Sequence, residues 1–428
     1  MSIILGIVQF IIMIFIILYE YKRKSPVLFL WATLFIMFGI THLFTVLISG
    51  YDYADYVLIE ASSFVIMFML IYFVTRFIII QKSRNVEILV YYREESDSNY
   101  KLFLLFLIIS IGLKLYKYLR FAGSIFSTSW GLGREYTATL DYFNSNQILS
   151  VIFYLSSGIL LYCIVTKKVM PTILTASLIA FQVLVTRNRI EVLPLLIPFI
   201  TFYILTHRRL KIRQMFILLV FGLVAIYLIY ALRAFRHYGS IESFLSEFSP
   251  IGFHERVMNL FRNEDGELSL RRDFYFFLLN DNKFKNFGKG HSYLRMLLVF
   301  IPTRWSLGLK PPDFAISMGA AVGMGSGGST HPTLFGDCFA NLGWWGTLLG
   351  GFWAIFASVF DTIILRQRKY LTQILLFNLY AVSFVIMGRG SVYNGYVTMF
   401  YGTVLLVLWN GISRMVKQNR LKRINRQC

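Results

Sequence analysis

Long apolar runs alternate with short basic ones along almost the whole chain, and that alternation restricts the fold more than any motif does. Apolar blocks occupy roughly 2–19, 27–49, 57–80, 102–120, 147–166, 171–186, 190–206, 215–232, 334–363, 371–387 and 393–413. A helix needs about 20 apolar residues to cross the hydrocarbon of a bilayer. Only helices and closed barrels satisfy their backbone groups there. Composition agrees: 57% of the 428 residues are hydrophobic and 15% charged, against about 45–50% and about 25% in soluble domains. The expectation is an all-α, polytopic integral membrane protein with about 11 transmembrane helices. The apolar N-terminus, without a basic leader or small-residue cleavage site, reads as a retained first helix.

The formal net charge of +20 would suggest nucleic acid on a soluble protein. Here the basic residues cluster between apolar blocks, at Tyr21–Lys24, Gln81–Arg84, Arg208–Arg213, Arg366–Lys369 and Lys417–Arg426. The loop "GYDYADY" has no Lys or Arg. The positive-inside rule then places the basic loops and the C-terminus in the cytoplasm, and eleven spans put the N-terminus outside. The charge suits anionic lipid head groups and an anionic substrate, and no nucleic acid is expected as a partner. The three cysteines lie far apart and suggest neither a disulfide framework nor a zinc site.

Three regions follow: residues 1–232 with transmembrane helices 1–8, a large external loop over 233–333, and residues 334–428 with the last three helices and a basic tail. In the loop, "ESFLSEF", "FHERVMNLFRN" and "RRDFYFFLLND" have helical apolar spacing and predict short surface helices. "SYLRMLLVFIPTRW", with Arg295 and Arg304, is too short to span and predicts a segment lying along the membrane surface.

Three arginine turns fall on the predicted external face, where topology needs none: "TRNRIE" with Arg187, Arg189 and Glu191, "RAFRHYG" with Arg233 and Arg236, and "GRGSVYNG" with Arg389. Guanidinium groups bind phosphate bidentately and stay charged, so the set suggests one shared anion. The plainer reading is interfacial anchoring, with Arg187 and Glu191 paired on one helix face.

The stretch "GGSTHPTLFGDCFANLGWWG" carries Thr333, Asp337 and Asn341 at spacings of four, on one face of a helix that starts near Pro332 with Thr330 or His331 as its cap. Ionisable residues inside a membrane segment point to function by default. The plainer reading has Asp337 complementing the helix dipole and Asn341 bonding a neighbouring helix. If one helix runs on from Pro332, Trp344 and Trp345 fall deeper than an interfacial belt. His237, His254, His291 and His331 lie in or beside the large loop, and His331 is favoured as a base by its neighbours. There is no Walker loop, no DxD pair and no HExxH. Neither a metal nor another cofactor is implied, so arginines would neutralise a phosphate leaving group.

The segment "HPTLFGDCFANLGWWG" after a large loop, the arginine turn "TRNRIE" and "RGSVYNG" before the last span together resemble the Wzy-type O-antigen polymerases, or oligosaccharide repeat-unit polymerases. The likeness is one of architecture over nearly the whole chain. It implies a GT-C-like, metal-independent glycosyltransferase of the bacterial inner membrane with its active site facing the periplasm. Its substrates would be undecaprenyl-pyrophosphate-linked glycans, and a chain-length regulator and a flippase would be its partners. Carried onto this chain, Arg187, Arg189 and Arg389 hold pyrophosphate, with Arg233 and Arg236 beside them. His331 or Asp337 activates the acceptor hydroxyl, and Asn341, Glu191, Arg304 and His291 contact acceptor sugars. An O-antigen ligase shares this architecture. A flippase or transporter of lipid-linked sugar is the reading from another class, although no internal repeat of the kind such proteins show is visible.

Overall fold

The computed structural model describes residues 1–47, 53–82, 87–90, 99–122, 144–186, 188–207, 212–236, 238–262, 270–281, 289–301, 305–321, 330–390 and 392–424. Every regular element among them is helical. The N-terminal half contains α1 (Ser2–Arg23), α2 (Leu28–Leu34), α3 (Thr41–Leu47), α4 (Asp55–Lys82), α5 (Tyr100–Ala122), α6 (Asn144–Val165), α7 (Val169–Thr186), α8 (Leu193–Thr206) and α9 (Ile212–Arg236). Five short helices follow: α10 (Ile241–Glu247), α11 (Pro250–Arg262), α12 (Leu270–Leu279), α13 (His291–Leu297) and α14 (Phe314–Ala321). The chain ends with α15 (Thr333–Leu342), α16 (Leu349–Leu365), α17 (Tyr370–Gly388) and α18 (Val392–Ile424).

Eight stretches are long and apolar enough to cross a membrane: Ser2–Arg23, Leu28–Leu47, Asp55–Gln81, Ile148–Val165, Val169–Thr186, Thr333–Leu365, Tyr370–Gly388 and Val392–Gly411. The chain is a multi-pass, all-helical membrane protein. The other three apolar blocks fall on α5, on the shorter apolar helix Ile190–Thr206 and on α9. The bundle is built around α17, 89% of whose apolar window is buried. Its small neighbours allow close approach: a Cβ on Gly158 of α6 would meet the Leu375 backbone at 2.6 Å.

The second span is a single path through α2, a π-helical turn at Phe35–Ile40 and α3. A π turn displaces backbone carbonyls from their usual partners, and in an apolar interior these must be satisfied locally. Buried Gln9 donates to Phe38 O at 2.5 Å and Thr41 donates to Ile36 O at 2.5 Å.

Two findings depart from the sequence expectation. The apolar block 334–363 is not one helix. α15 runs antiparallel to α4, with Phe335 against Phe68 and Phe339 against Phe64. At Gly343, whose φ of 56° and ψ of −138° suit only glycine, the chain turns back through a 3-10 segment at Gly343–Leu348. α16 then runs parallel to α4, with Gly350 against Phe68 and Asp361 bonded to Arg76. Gly346 packs directly on the Cys338 carbonyl, where a Cβ would collide. Trp344 and Trp345 therefore sit on the tip of a helical hairpin, 45% and 75% exposed, rather than deep in a continuous span.

α12, expected on the surface, is buried between α15 and α4. Phe274 makes edge or tilted contacts with Phe38, Phe64 and Phe339 at centroid distances of 5.5–5.9 Å. Its polar residues are satisfied within the bundle: Arg271, fully buried, donates to Thr45 Oγ1 at 3.0 Å. Tyr275 OH lies 2.5 Å from His42 Nδ1, and His42 Nε2 lies 2.8 Å from Ser62 Oγ. A helix with two arginines and an aspartate is thus accommodated because each group tested by burial meets a partner.

Candidate functional site

α15 begins level with the middle of α4, and the segment before it, Thr330–Pro332, meets the α17–α18 turn there. A Cβ on Gly390 would run into the Thr333 backbone and approach His331 C at 3.1 Å. Both partners pay for this approach in backbone conformation: Gly390 has a φ of 107°, and the β-branched Thr333 has a φ of 64°, an outlier of the kind held only where the surroundings over-determine it. The helix starts at Thr333 with Pro332 at the cap position, not with Thr330 or His331 as the cap. The Thr333 hydroxyl bonds the Pro332 carbonyl. The Thr330 hydroxyl instead donates to Asp273 on α12. Burial pushes the Asp273 carboxyl up to about 6, against that bond.

Beside this junction a cleft of about 270 Å³ is lined by Ser292 and Arg295 from α13, Asp313, Phe314 and Ala315 at the start of α14, His331, Asp337 of α15, and Gly390, Val392, Tyr393 and Asn394 at the α17–α18 turn. Asp337 is 1% exposed and its carboxylate is engaged on both sides. Oδ2 accepts from Ser292 Oγ at 3.1 Å, and Oδ1 accepts from Asn341 Nδ2 at 3.3 Å. Asn341 closes the set: its Oδ1 accepts from Ser292 N at 3.2 Å, and its Nδ2 also donates to Ser292 Oγ at 3.1 Å. The spacing of four on α15 thus staples α13 to the bundle.

The cleft's cation is Arg295. It stacks over the Tyr393 ring, 4.4 Å from the centroid. One guanidinium nitrogen donates to the Pro311 carbonyl, and the other stands 4.0 Å from Asp313 Oδ2. Lys310 approaches the same ring at 5.4 Å and donates to Ile301 O at 2.9 Å. Burial and the neighbouring Arg295 charge hold the Lys310 ammonium below its usual range.

Among the sequence-expected residues, His331 and Asp337 line this cleft, Asn341 supports it from behind, and Arg389 precedes its Gly390 wall. Glu191 belongs to a separate buried group. It accepts from Gln182 at 3.0 Å and Thr186 at 2.7 Å and lies 3.9 Å from Lys114. The buried ring of Tyr154 feels both Glu191 and Arg389, so this group and the cleft wall are neighbours. His291 opens α13 one residue before Ser292 and is not among the cleft-lining residues. Arg187 and Arg304 lie outside the described residues. Arg189 sits on a 3-10 turn (Arg189–Val192), and Arg233 and Arg236 on the last turn of α9, with side chains outside the described set. The expected Arg187–Glu191 pairing falls on the same undescribed position.

Ser292, Arg295, Asp313, Tyr393 and Asp273 were not readable as site residues. Only Arg295 carried a signal, as a charge on a short apolar helix. Among the described residues no three His, Cys, Asp or Glu side chains gather as metal ligands do. No family model matches the chain, and neither curated proteins nor solved structures show a match.

Proposed function

We propose that this chain is a metal-independent glycosyltransferase of the Wzy-type polymerase kind, joining undecaprenyl-pyrophosphate-linked oligosaccharide repeat units and releasing undecaprenyl pyrophosphate. One observation carries the reading: an imidazole, two carboxylates and an arginine converge in one cleft among membrane-crossing helices, next to the turn that carries Arg389. A lipid-anchored donor brings its head group to such a place without leaving the bilayer. The basic loops, assigned to the cytoplasm, put the 233–333 region and the cleft mouth on the periplasmic side of the inner membrane, with eleven helices in a GT-C-like bundle.

The chemistry suits the residues. The anhydride-linked sugar phosphate carries its own activation, so no nucleotide is needed. As the glycosidic bond to phosphate breaks, negative charge grows on the pyrophosphate, and a pre-placed cation is worth on the order of 3 kcal/mol there. A base within reach of the acceptor hydroxyl adds about 10²–10⁴-fold. The sequence has no DxD pair to hold a metal, which leaves that charge to guanidinium groups. Product chain length and donor delivery would involve a chain-length regulator and a flippase.

Deletion of the gene with glycolipid profiling tests the reading. Single capped repeat units in place of ladders are expected, restored by the wild-type gene and not by Arg389→Ala or His331→Ala. Accumulated long lipid-linked polymer would assign the chain as a ligase instead, and an unchanged profile would sink both.

A further inference from the structure

Within the cleft the two carboxylates differ in availability. Asp337 is buried with both oxygens bonded to Ser292 and Asn341. The Asp313 side chain is 27% exposed. Its Oδ1 is anchored by the Ala315 backbone N–H at 2.9 Å, while Oδ2 faces Arg295 at 4.0 Å, beyond hydrogen-bond length. Arg295 is the mirror case. Its plane is fixed by Tyr393 and by the Pro311 carbonyl, yet its Nε is buried and meets no hydrogen-bond acceptor, and the nitrogen facing Asp313 is only loosely paired. A guanidinium with a set direction and uncommitted donors is built for a bidentate oxyanion. Lys310 adds a second positive charge against the same ring, so the two cations outnumber the single carboxylate that faces them.

We propose that Arg295 binds the donor's phosphate and that Asp313, its loose partner in the empty cleft, is displaced by that phosphate and becomes the base for the acceptor hydroxyl. The base role rests on the function proposed above; the guarded anion site does not. An arriving phosphate takes the Arg295 donors and leaves Asp313 without its counter-ion, which raises its affinity for a proton when donor is bound. The acceptor O–H proton passes to Asp313 Oδ2 while the acceptor oxygen forms its bond to the anomeric carbon. The bond from that carbon to the phosphate oxygen breaks, and its electron pair leaves with the lipid pyrophosphate, whose added charge faces Arg295. Asp337 holds Ser292, and through it α13, in register, and is a positioning residue.

The test uses the full-length protein in nanodiscs, with inorganic pyrophosphate as the calorimetric probe and two lipid-linked repeat units as joining substrates. Arg295→Gln is expected to weaken pyrophosphate binding at least tenfold. Asp313→Asn is expected to tighten it, because the competing carboxylate is gone, while joining falls at least 100-fold. Asp313→Ser keeps an oxygen for the Ala315 N–H and is expected to behave as Asp313→Asn, which separates lost chemistry from a lost cap. Joining by both Asp313 variants within threefold of wild type, weaker pyrophosphate binding by both, or wild-type binding by Arg295→Gln would each overturn the proposal. A wild-type chain that binds pyrophosphate through Arg295, tightened by Asp313→Asn, yet joins no units would overturn the assigned function and the base role and leave the guarded anion site standing.

Discussion

Replacing Arg76 by leucine isolates the energetics of a charged cluster deep in the apolar bundle. Arg76 is fully buried and donates to Glu20 Oε1 at 2.9 Å, Glu20 Oε2 at 3.0 Å, Asp361 Oδ2 at 2.5 Å and Ser358 Oγ at 2.7 Å. Tyr72 bonds Glu20 at 2.8 Å, Ser25 bonds Asp361 at 2.7 Å, and Arg23 stands 3.7 Å from Asp361. Two carboxylates thus face two guanidinium groups, and the cluster ties α1, α4 and α16 together at their basic ends. Arg76→Leu leaves both carboxylates to share Arg23. Breaking a buried pair by removing one partner costs about 3–5 kcal/mol. Neutralising the partners as well, in Arg76→Leu/Glu20→Gln/Asp361→Asn, removes the stranded charge and is expected to recover at least about 2 kcal/mol of that loss, since well-packed neutral replacements of buried ion pairs are often close to neutral overall. Equilibrium unfolding in mixed micelles with increasing SDS reads both values. If Arg76→Leu lies within about 1 kcal/mol of wild type, or the triple variant is less stable than the single one, the reasoning about charge balance is wrong.

Three further outcomes follow from the geometry. Gly390→Ala places a methyl group against Thr333 at a left-handed φ; it is expected to cost at least about 1 kcal/mol and to abolish joining by moving His331, and wild-type thermal midpoint and activity would refute the close approach. Gly346→Ala drives its Cβ into the Cys338 carbonyl and is expected to destabilise the hairpin by about 1–3 kcal/mol, visible as faster proteolysis near Trp345. For Asp273, the folded carboxyl titrates at about 6 against an unfolded value near 3.8, so between these values the folded state keeps a proton that the unfolded state has released. Stability should therefore fall as pH rises from about 4 to about 6, by at most about 3 kcal/mol; Asp273→Asn should flatten that slope, and an unchanged slope in the variant would remove Asp273 as its source.

Much of the fold was legible because lipid imposes a local rule: each apolar block of sufficient length falls on a helix. Block 334–363 shows the limit of that rule. Hydropathy sums over residues and has no term for direction, so the reversal at Gly343 is invisible unless the need for a glycine-only ψ is known. α12 shows another limit. Its helical spacing was readable, but Arg271 and Asp273 argue for the surface until their partners Thr45 and Thr330 are known, and those lie far away in the chain. The same holds at the site. The spacing of Asp337 and Asn341 put them on one face, whereas their tie to Ser292 crosses a loop that no periodicity describes. Glu20, Arg76 and Asp361, near the ends of apolar blocks, read singly as flanking charges; only packing shows that they balance one another.

The reversal of α15 also bears on how the protein is made. A ten-residue helix is too short to be released into lipid as a span, and its buried Asp337 and Asn341 find their partners on α13, outside the long apolar helices. α12, likewise, cannot rest in lipid with Arg271 exposed. Neither segment is settled by insertion alone: each waits for α4 and for the other. The stretch from α12 to the Gly343 turn therefore closes as a single late unit, after the surrounding spans are threaded, and the cleft comes into being only at that last step of biogenesis.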